Sequence, residues 1–141
     1  MIILDTNVIS ELMRDGASPV VQAWARNQNR DSLVTTTINI MELRGGVEKL
    51  LASRRRRELD AALDRTFNEF FSGRILKFDI KAAYAAAEWQ ASRRRVGRTI
   101  PTMDAQIAGI AISRRIPIAT RDAYDFEGLP IKLINPWDAP A

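Results

Sequence analysis

Short apolar runs alternate along this chain with longer stretches of helical period. Residues 2–4, 32–36, 74–78, 116–120 and 131–134 are brief, largely apolar runs rich in Ile, Leu, Val and Thr, the pattern of strands buried on both faces. Between them, hydrophobic residues recur every three or four positions. Val8, Ile9 and Leu12 open such a pattern, which closes near Asp15-Gly16, and Ser18-Pro19 reads as an N-cap with proline at the first helical position. Further helical faces are Ile40, Leu43, Val47, Leu50 and Leu51 within 38–51, and Leu59, Leu63, Phe67, Phe70 and Phe71, the latter ended by Ser72-Gly73. Ile80, Ala83, Tyr84, Ala87 and Ala91 predict a helix that packs closely through small residues. Met103, Ile107, Ile110 and Ala111 predict one that starts near Pro101. Strands separated by helices imply a parallel sheet of about five strands sandwiched by helices, an α/β fold. In such sheets ligands sit beyond the carboxyl ends of the strands, where Asp5 and Asp122 lie.

The length, 141 residues, suits one domain over 1–141. No apolar run is long enough for a membrane span, and the first residues lack the basic and apolar regions of a signal peptide. With no cysteine there is no disulfide framework, so a cytoplasmic protein is expected. The chain also has no histidine. Together these absences exclude zinc sites built on Cys or His, thiol nucleophiles, Ser-His-Asp triads and nucleases that depend on histidine. Any chemistry must come from carboxylates, basic groups, hydroxyls or a hard metal with oxygen ligands. The net charge of +4, with 17 arginines against 4 lysines, favours anionic partners.

Two roles are open to Asp5. It caps the following helix through a backbone N–H of residues 6–8, or it faces the crevice at the end of its strand. Asp104 falls in the first turn of its helix, where negative charge suits the helix dipole. It also stands beside Ile107, Ala108 and Ala111, where an unpaired carboxylate costs several kcal/mol. Asp122 and Asp125 follow the fourth apolar run in Thr120-Arg121-Asp122-Ala123-Tyr124-Asp125. They are either loop polar groups, Asp122 capping the next turn, or partners of a metal and its water. Glu42 falls nearly opposite the Ile40/Leu43/Val47 stripe and reads as solvated, although Ile38, Gly45 and Gly46 on its side leave room for another backbone. Carboxylates gathered in one cleft would repel each other unless a divalent cation lay among them, and such a cation suits phosphodiester hydrolysis.

These stretches resemble the PIN-domain family, and within it the toxin ribonucleases of bacterial toxin–antitoxin pairs of the VapC/FitB type. The similarity rests on Leu4-Asp5-Thr6-Asn7-Val8-Ile9, Glu42-Leu43-Arg44-Gly45-Gly46, Asp104-Ala105-Gln106-Ile107-Ala108 and Thr120-Arg121-Asp122, four stretches in order over essentially the whole chain. The resemblance implies that Asp5, Glu42, Asp104 and Asp122 are catalytic and hold Mg²⁺ or Mn²⁺. Thr6, Asn7 and Thr120 match supporting polar positions, and Asp125 a less regular one. It further implies an RNA substrate, a homodimer, and a cognate antitoxin that blocks the site in a higher heteromer. A non-catalytic RNA-binding module of the same fold is an alternative. So is a phosphatase of the haloacid-dehalogenase type, although that class wants a second aspartate where Asn7 stands, and a receiver domain wants paired acids after its first strand.

Two basic stretches remain. Arg54-Arg55-Arg56-Arg57 is unfavourable at a helix N-terminus and reads as a loop or exposed face, either simply solvated or a contact for RNA or the antitoxin. Arg93-Arg94-Arg95 with Arg98 precedes Asp104 and is the better candidate for guiding RNA phosphates. Trp89 points away from the Ala83/Ala87 face and reads as a second core face or an oligomer contact. Asn135-Pro136-Trp137 reads as a packed C-terminal anchor.

Overall fold

The computed structural model describes residues 1–138. The chain order is β1 (Ile2–Leu4), α1 (Thr6–Met13), α2 (Pro19–Arg26), β2 (Leu33–Thr36), α3 (Thr37–Glu48), α4 (Arg54–Arg65), β3 (Ile75–Leu76), α5 (Ile80–Arg95), α6 (Thr102–Arg114), β4 (Ile118–Ala119) and β5 (Leu133–Ile134), with a π-helical turn at Thr66–Phe70 after α4. The strands form a five-stranded sheet in the order β3-β2-β1-β4-β5, every pairing parallel. The α/β class expected from the alternation is therefore the observed one. β1 is central, with Ile3 facing Val34 on one side and Ile118 on the other. The chain winds first to one side of β1 and then returns to the other, so the strand order reverses there and a crevice opens beyond its carboxyl end.

Side chains alternate across the sheet. Ile3, Val34 and Ile118 point to a core shared with α5 and α6. Leu4, Leu33 and Ala119 point to the opposite core, which holds Val8, Trp24, Leu63, Phe67 and Phe71. α3 serves both, with Ile38 in the first core and Val47 in the second. α5 and α6 approach closely because Gly109 lacks a side chain: a Cβ there would overlap the Ala82 carbonyl and stand 2.7 Å from the Ala86 Cβ.

Several local expectations are corrected. The close-packing face of α5 is not the Ile80/Ala83/Tyr84/Ala87 stripe; Ile80 and Tyr84 are 76% and 70% exposed. The buried face is Ala82, Ala86 and Trp89, because it joins the largest side chain of the helix to the small residues that meet Gly109. Trp89 is thus a core residue, stacked on Phe126 at 6.3 Å between ring centroids. Gly45 and Gly46 receive no close backbone, since nothing lies within 4 Å of a Cβ at either. The arginine run is not a loop. It forms the first turn of α4, capped by the Ser53 hydroxyl accepting from Arg56 N at 3.1 Å. Ion pairs of Arg54 with Glu58 and of Arg56 with Glu48, each 3.0 Å, help to offset the dipole. Its face is exposed as expected. Ser18 makes no side-chain cap, although Pro19 does open α2, and α3 stops at Glu48, leaving Leu51 87% exposed. Trp137 is partly buried against the second core, with the Arg121 guanidinium over its ring, so the C-terminal anchor packs as expected.

Candidate active site

Polar side chains are scarce in the interior, and they gather in one place. Asp5, Thr35, Thr36, Asn39 and Thr120 are the buried polar residues among those described. All lie at the carboxyl ends of β1, β2 and β4 or in the first turn of α3. Asp5 ends β1, and both roles open to it are realised. Its Oδ1 accepts from Thr6 N at 2.8 Å, capping α1, and also from Asn39 Nδ2 at 3.1 Å. Its Oδ2 accepts from the Thr120 hydroxyl at 2.7 Å. Burial raises the Asp5 carboxyl above its ordinary range; the bonds from Thr120 and Thr6 pull the other way, and the charges of Glu42 and Asp122 push it further up.

The remaining candidates surround this group. Asp104, half-buried in the first turn of α6, has its carboxyl pushed up to about 7, first by burial and then by Asp5, Asp125, Glu42 and Asp122. No basic group of the described residues counts among the influences on it. Asp122 is exposed, and its Oδ2 accepts from Asn7 Nδ2 at 3.1 Å. Asn7 also donates to the Thr120 hydroxyl at 3.4 Å and accepts from Arg121 N at 3.1 Å, so it ties the start of α1 to the segment after β4. Thr6 accepts from Asn39 Nδ2 at 3.1 Å. Glu42 is half-buried rather than solvated. The wheel misplaces it because α3 is buried on two sides.

Sequence reasoning missed Asn39 and Thr36. Asn39 is fully buried and bridges Asp5, Thr6 and Thr36, whose hydroxyl lies 2.6 Å from Asn39 Oδ1. One signal was available: a threonine three positions before an amide at the start of a helix is an N-cap pattern, and Asn39 interrupts an otherwise apolar turn between Ile38 and Ile40. The four basic candidates divide. Arg94 and Arg95 are exposed. Arg93 and Arg98 are engaged with the segment after β4, donating to the Glu127 carbonyl and to the Tyr124 carbonyl respectively.

Asp104 is within electrostatic reach of Asp5, Glu42, Asp122 and Asp125, and Asp5 of Glu42 and Asp122. Among the described residues, no three carboxylates close on a common point tightly enough to cage an ion as they stand. The donor set nonetheless fits a hard divalent cation: every candidate ligand is an oxygen, and among the described residues no basic group relieves the negative charge crowded on Asp104. A hollow of about 590 Å³, lined by Leu4, Ile9, Leu12, Met13, Phe70 and Phe71 among others, holds none of these carboxylates.

A parallel sheet with an acid at its switch point, surrounded by further acids from α3, α6 and the segment after β4, is the arrangement expected of a PIN domain. The PIN domain family model matches residues 2–130. The chain belongs to the PIN-domain family, among the toxins of the VapC/FitB type. It is 38% identical over 139 residues to plasmid stability protein StbB of Pseudomonas syringae pv. tomato, covering 99% of this chain and 100% of that one. It is 36% identical over 138 residues to VapC ribonuclease Y4jK of Sinorhizobium fredii, with 98% and 99% coverage. Among solved structures, that of FitAB bound to the IR36 DNA fragment superposes with a TM-score of 0.91 at 32% identity, covering 100% of this chain and 99% of that one.

Proposed function

We propose that this protein is a metal-dependent endoribonuclease, the toxin of a toxin–antitoxin pair, hydrolysing RNA phosphodiester bonds at the carboxylate cluster around Asp5. The observation that carries the reading is the burial of Asp5 at the end of the central strand, hydrogen-bonded by Thr6, Asn39 and Thr120, with further carboxylates acting on it and on Asp104 without a basic partner. A structural cap needs no such crowd of like charge. A similarity to a protein named as a ribonuclease supports the same reaction.

Asp5, Glu42, Asp104 and Asp122 would hold Mg²⁺ or Mn²⁺, with Asp125 at the margin. When bound, such a cation polarises a phosphodiester, acidifies water and offsets the developing negative charge. The remaining work falls to the chain. Thr120 and Asn39 fix the two oxygens of Asp5. Asn7 holds Asp122 towards β1 through its amide. Asp104, whose carboxyl is held up at about 7 by burial and the neighbouring carboxylates, would be drawn towards its charged form by such a cation. The exposed Arg94 and Arg95 supply positive charge for the RNA backbone. A cognate antitoxin as partner is supported by the likeness to the FitAB complex; that it covers the cleft and binds a homodimer belongs to the same proposal.

The test is cleavage of total RNA by the purified, partner-free protein. Fragments are expected with Mn²⁺ or Mg²⁺ and none with a chelator, and Asp5→Asn should reduce cleavage to background. Equal cleavage under chelator would overturn the mechanism. RNA binding without cleavage under any divalent ion would make the chain a non-catalytic module.

A further inference from the structure

Asp122 and Asp125 sit on a segment with little holding power of its own. Residues 121–128 form consecutive turns rather than a helix or strand. Their internal backbone bonds are few: Asp125 N donates to Asp122 O at 3.1 Å and Glu127 N to Tyr124 O at 3.2 Å. Of the side chains only Phe126 is buried. Asn7 and Thr120 hold Asp122 at the start of the segment; the rest of it, with Asp125, is fastened by the end of α5 and the loop after it. The Arg98 guanidinium lies 3.8 Å from the centroid of the Tyr124 ring. It donates to the Tyr124 carbonyl at 2.6 Å and to Glu127 Oε2 at 2.8 Å, with 19% of the side chain exposed. Arg93 donates to the Glu127 carbonyl at 3.3 Å. Gly128, at φ +83°, lies so flat on Arg93 that a Cβ there would overlap the guanidinium.

We propose that Arg98, backed by Arg93, is a positioning residue that locks the turn carrying Asp122 and Asp125 to the loop leading into Asp104. Arg98 stands six positions before Asp104, so its fork joins the two segments that carry three of the five clustered acids. A guanidinium occupied by a ring face, a carbonyl and a carboxylate has little left for an RNA phosphate. This inference rests on the nuclease reading, because what the lock secures is the ligand geometry of that site.

The experiment compares the wild-type chain with Arg98→Ala, Arg98→Lys and Tyr124→Ala. Mn²⁺ binding is followed by titration calorimetry, amide exchange across residues 121–128 by mass spectrometry, and kcat and KM are measured on RNA. Arg98→Ala should bind Mn²⁺ about 10-fold more weakly or worse. It should also exchange faster over 121–128 and lose kcat while KM stays within about twofold. Tyr124→Ala removes only an exposed ring, so folding is not at stake; it should weaken Mn²⁺ binding about 2- to 5-fold. Arg98→Lys keeps the charge but not the fork or the stack, so it should resemble Arg98→Ala. A lysine variant like wild type, with Arg98→Ala raising KM alone, would identify a phosphate contact and overturn the proposal. Faster exchange with unchanged Mn²⁺ affinity, or no change in either, would overturn it as well. A wild-type chain that neither binds Mn²⁺ nor cuts RNA would overturn the nuclease reading and this inference with it. A wild type that does both, matched by Arg98→Ala, would overturn this inference alone.

Discussion

The hydroxyl of Thr120 donates to Oδ2 of Asp5 at 2.7 Å, joining residues 115 positions apart in the chain. That bond links the end of β4 to the end of β1, and its partner on the other oxygen is the amide of Asn39. The two donors have different consequences. Thr120→Val keeps the shape and removes the donor, while Thr120→Ser keeps the donor. The valine variant should lose about 10- to 100-fold in cleavage and Mn²⁺ affinity, as for a partner that orients a metal ligand, and the serine variant much less. Asn39→Ala strips Asp5, Thr6 and Thr36 of a shared partner in the interior and should also cost about 1–3 kcal/mol of stability in urea unfolding. Equal behaviour of the two Thr120 variants would show that packing rather than the hydroxyl matters.

Asp104 gives the metal-free protein a pH dependence of definite sign. Its folded carboxyl titrates near 7 and its unfolded one near 3.8, so between these values the folded state binds more protons than the unfolded. Stability from this group is therefore complete below about pH 3.8, falls as pH rises towards 7, and is level above that. Asp104→Asn should raise the Tm of the metal-free protein at pH 7.5 and leave it nearly unchanged at pH 4. Mn²⁺ should raise the wild-type Tm more at pH 7.5 than at pH 5, and that of the asparagine variant less at either. Thermal scans at the three pH values, with chelator and with Mn²⁺, check this.

The contact between α5 and α6 is set by Gly109. Gly109→Ala places a methyl against the Ala82 carbonyl and the Ala86 Cβ, so it should destabilise the protein by about 1–3 kcal/mol despite alanine's better helix propensity. Gly45→Ala, in open space on α3, should be stabilising or neutral. Urea midpoints of the two variants check this; a stabilised Gly109→Ala would mean the helices part at little cost.

Arg94 and Arg95 are the exposed members of their stretch. Replacing both with alanine should raise KM for RNA with kcat unchanged. It should also lower the slope of log K against log salt by about one for each phosphate no longer neutralised. Binding measured between about 50 and about 200 mM salt checks this. An unchanged slope would place the RNA elsewhere.

The sequence made the sheet legible because apolar runs three to five residues long are enough to mark buried parallel strands, and Asp5 was legible as the residue that ends the first. Glu42 was visible only through resemblance. Its helix is buried on two sides, so a single-stripe wheel sends it to solvent. The buried face of α5 was misjudged for a related reason: alanines line both sides, and only the contact with Gly109 on another helix decides between them. Arg98 was legible as charge but not as a lock, since its partners lie 26 and 29 positions away in a segment whose turns have no strong periodicity.

The central place of β1 has a consequence for the timing of synthesis. Asp5 leaves the ribosome 115 residues before Thr120, its hydrogen-bond partner at the end of β4. A nascent chain that has folded its first two strands still lacks Asp104, Asp122 and the hydroxyl that orients Asp5. The acidic cleft is therefore assembled only once the segment carrying Thr120 and Asp122 has been made, and until then Asp5 stands without the neighbours that surround it in the folded protein.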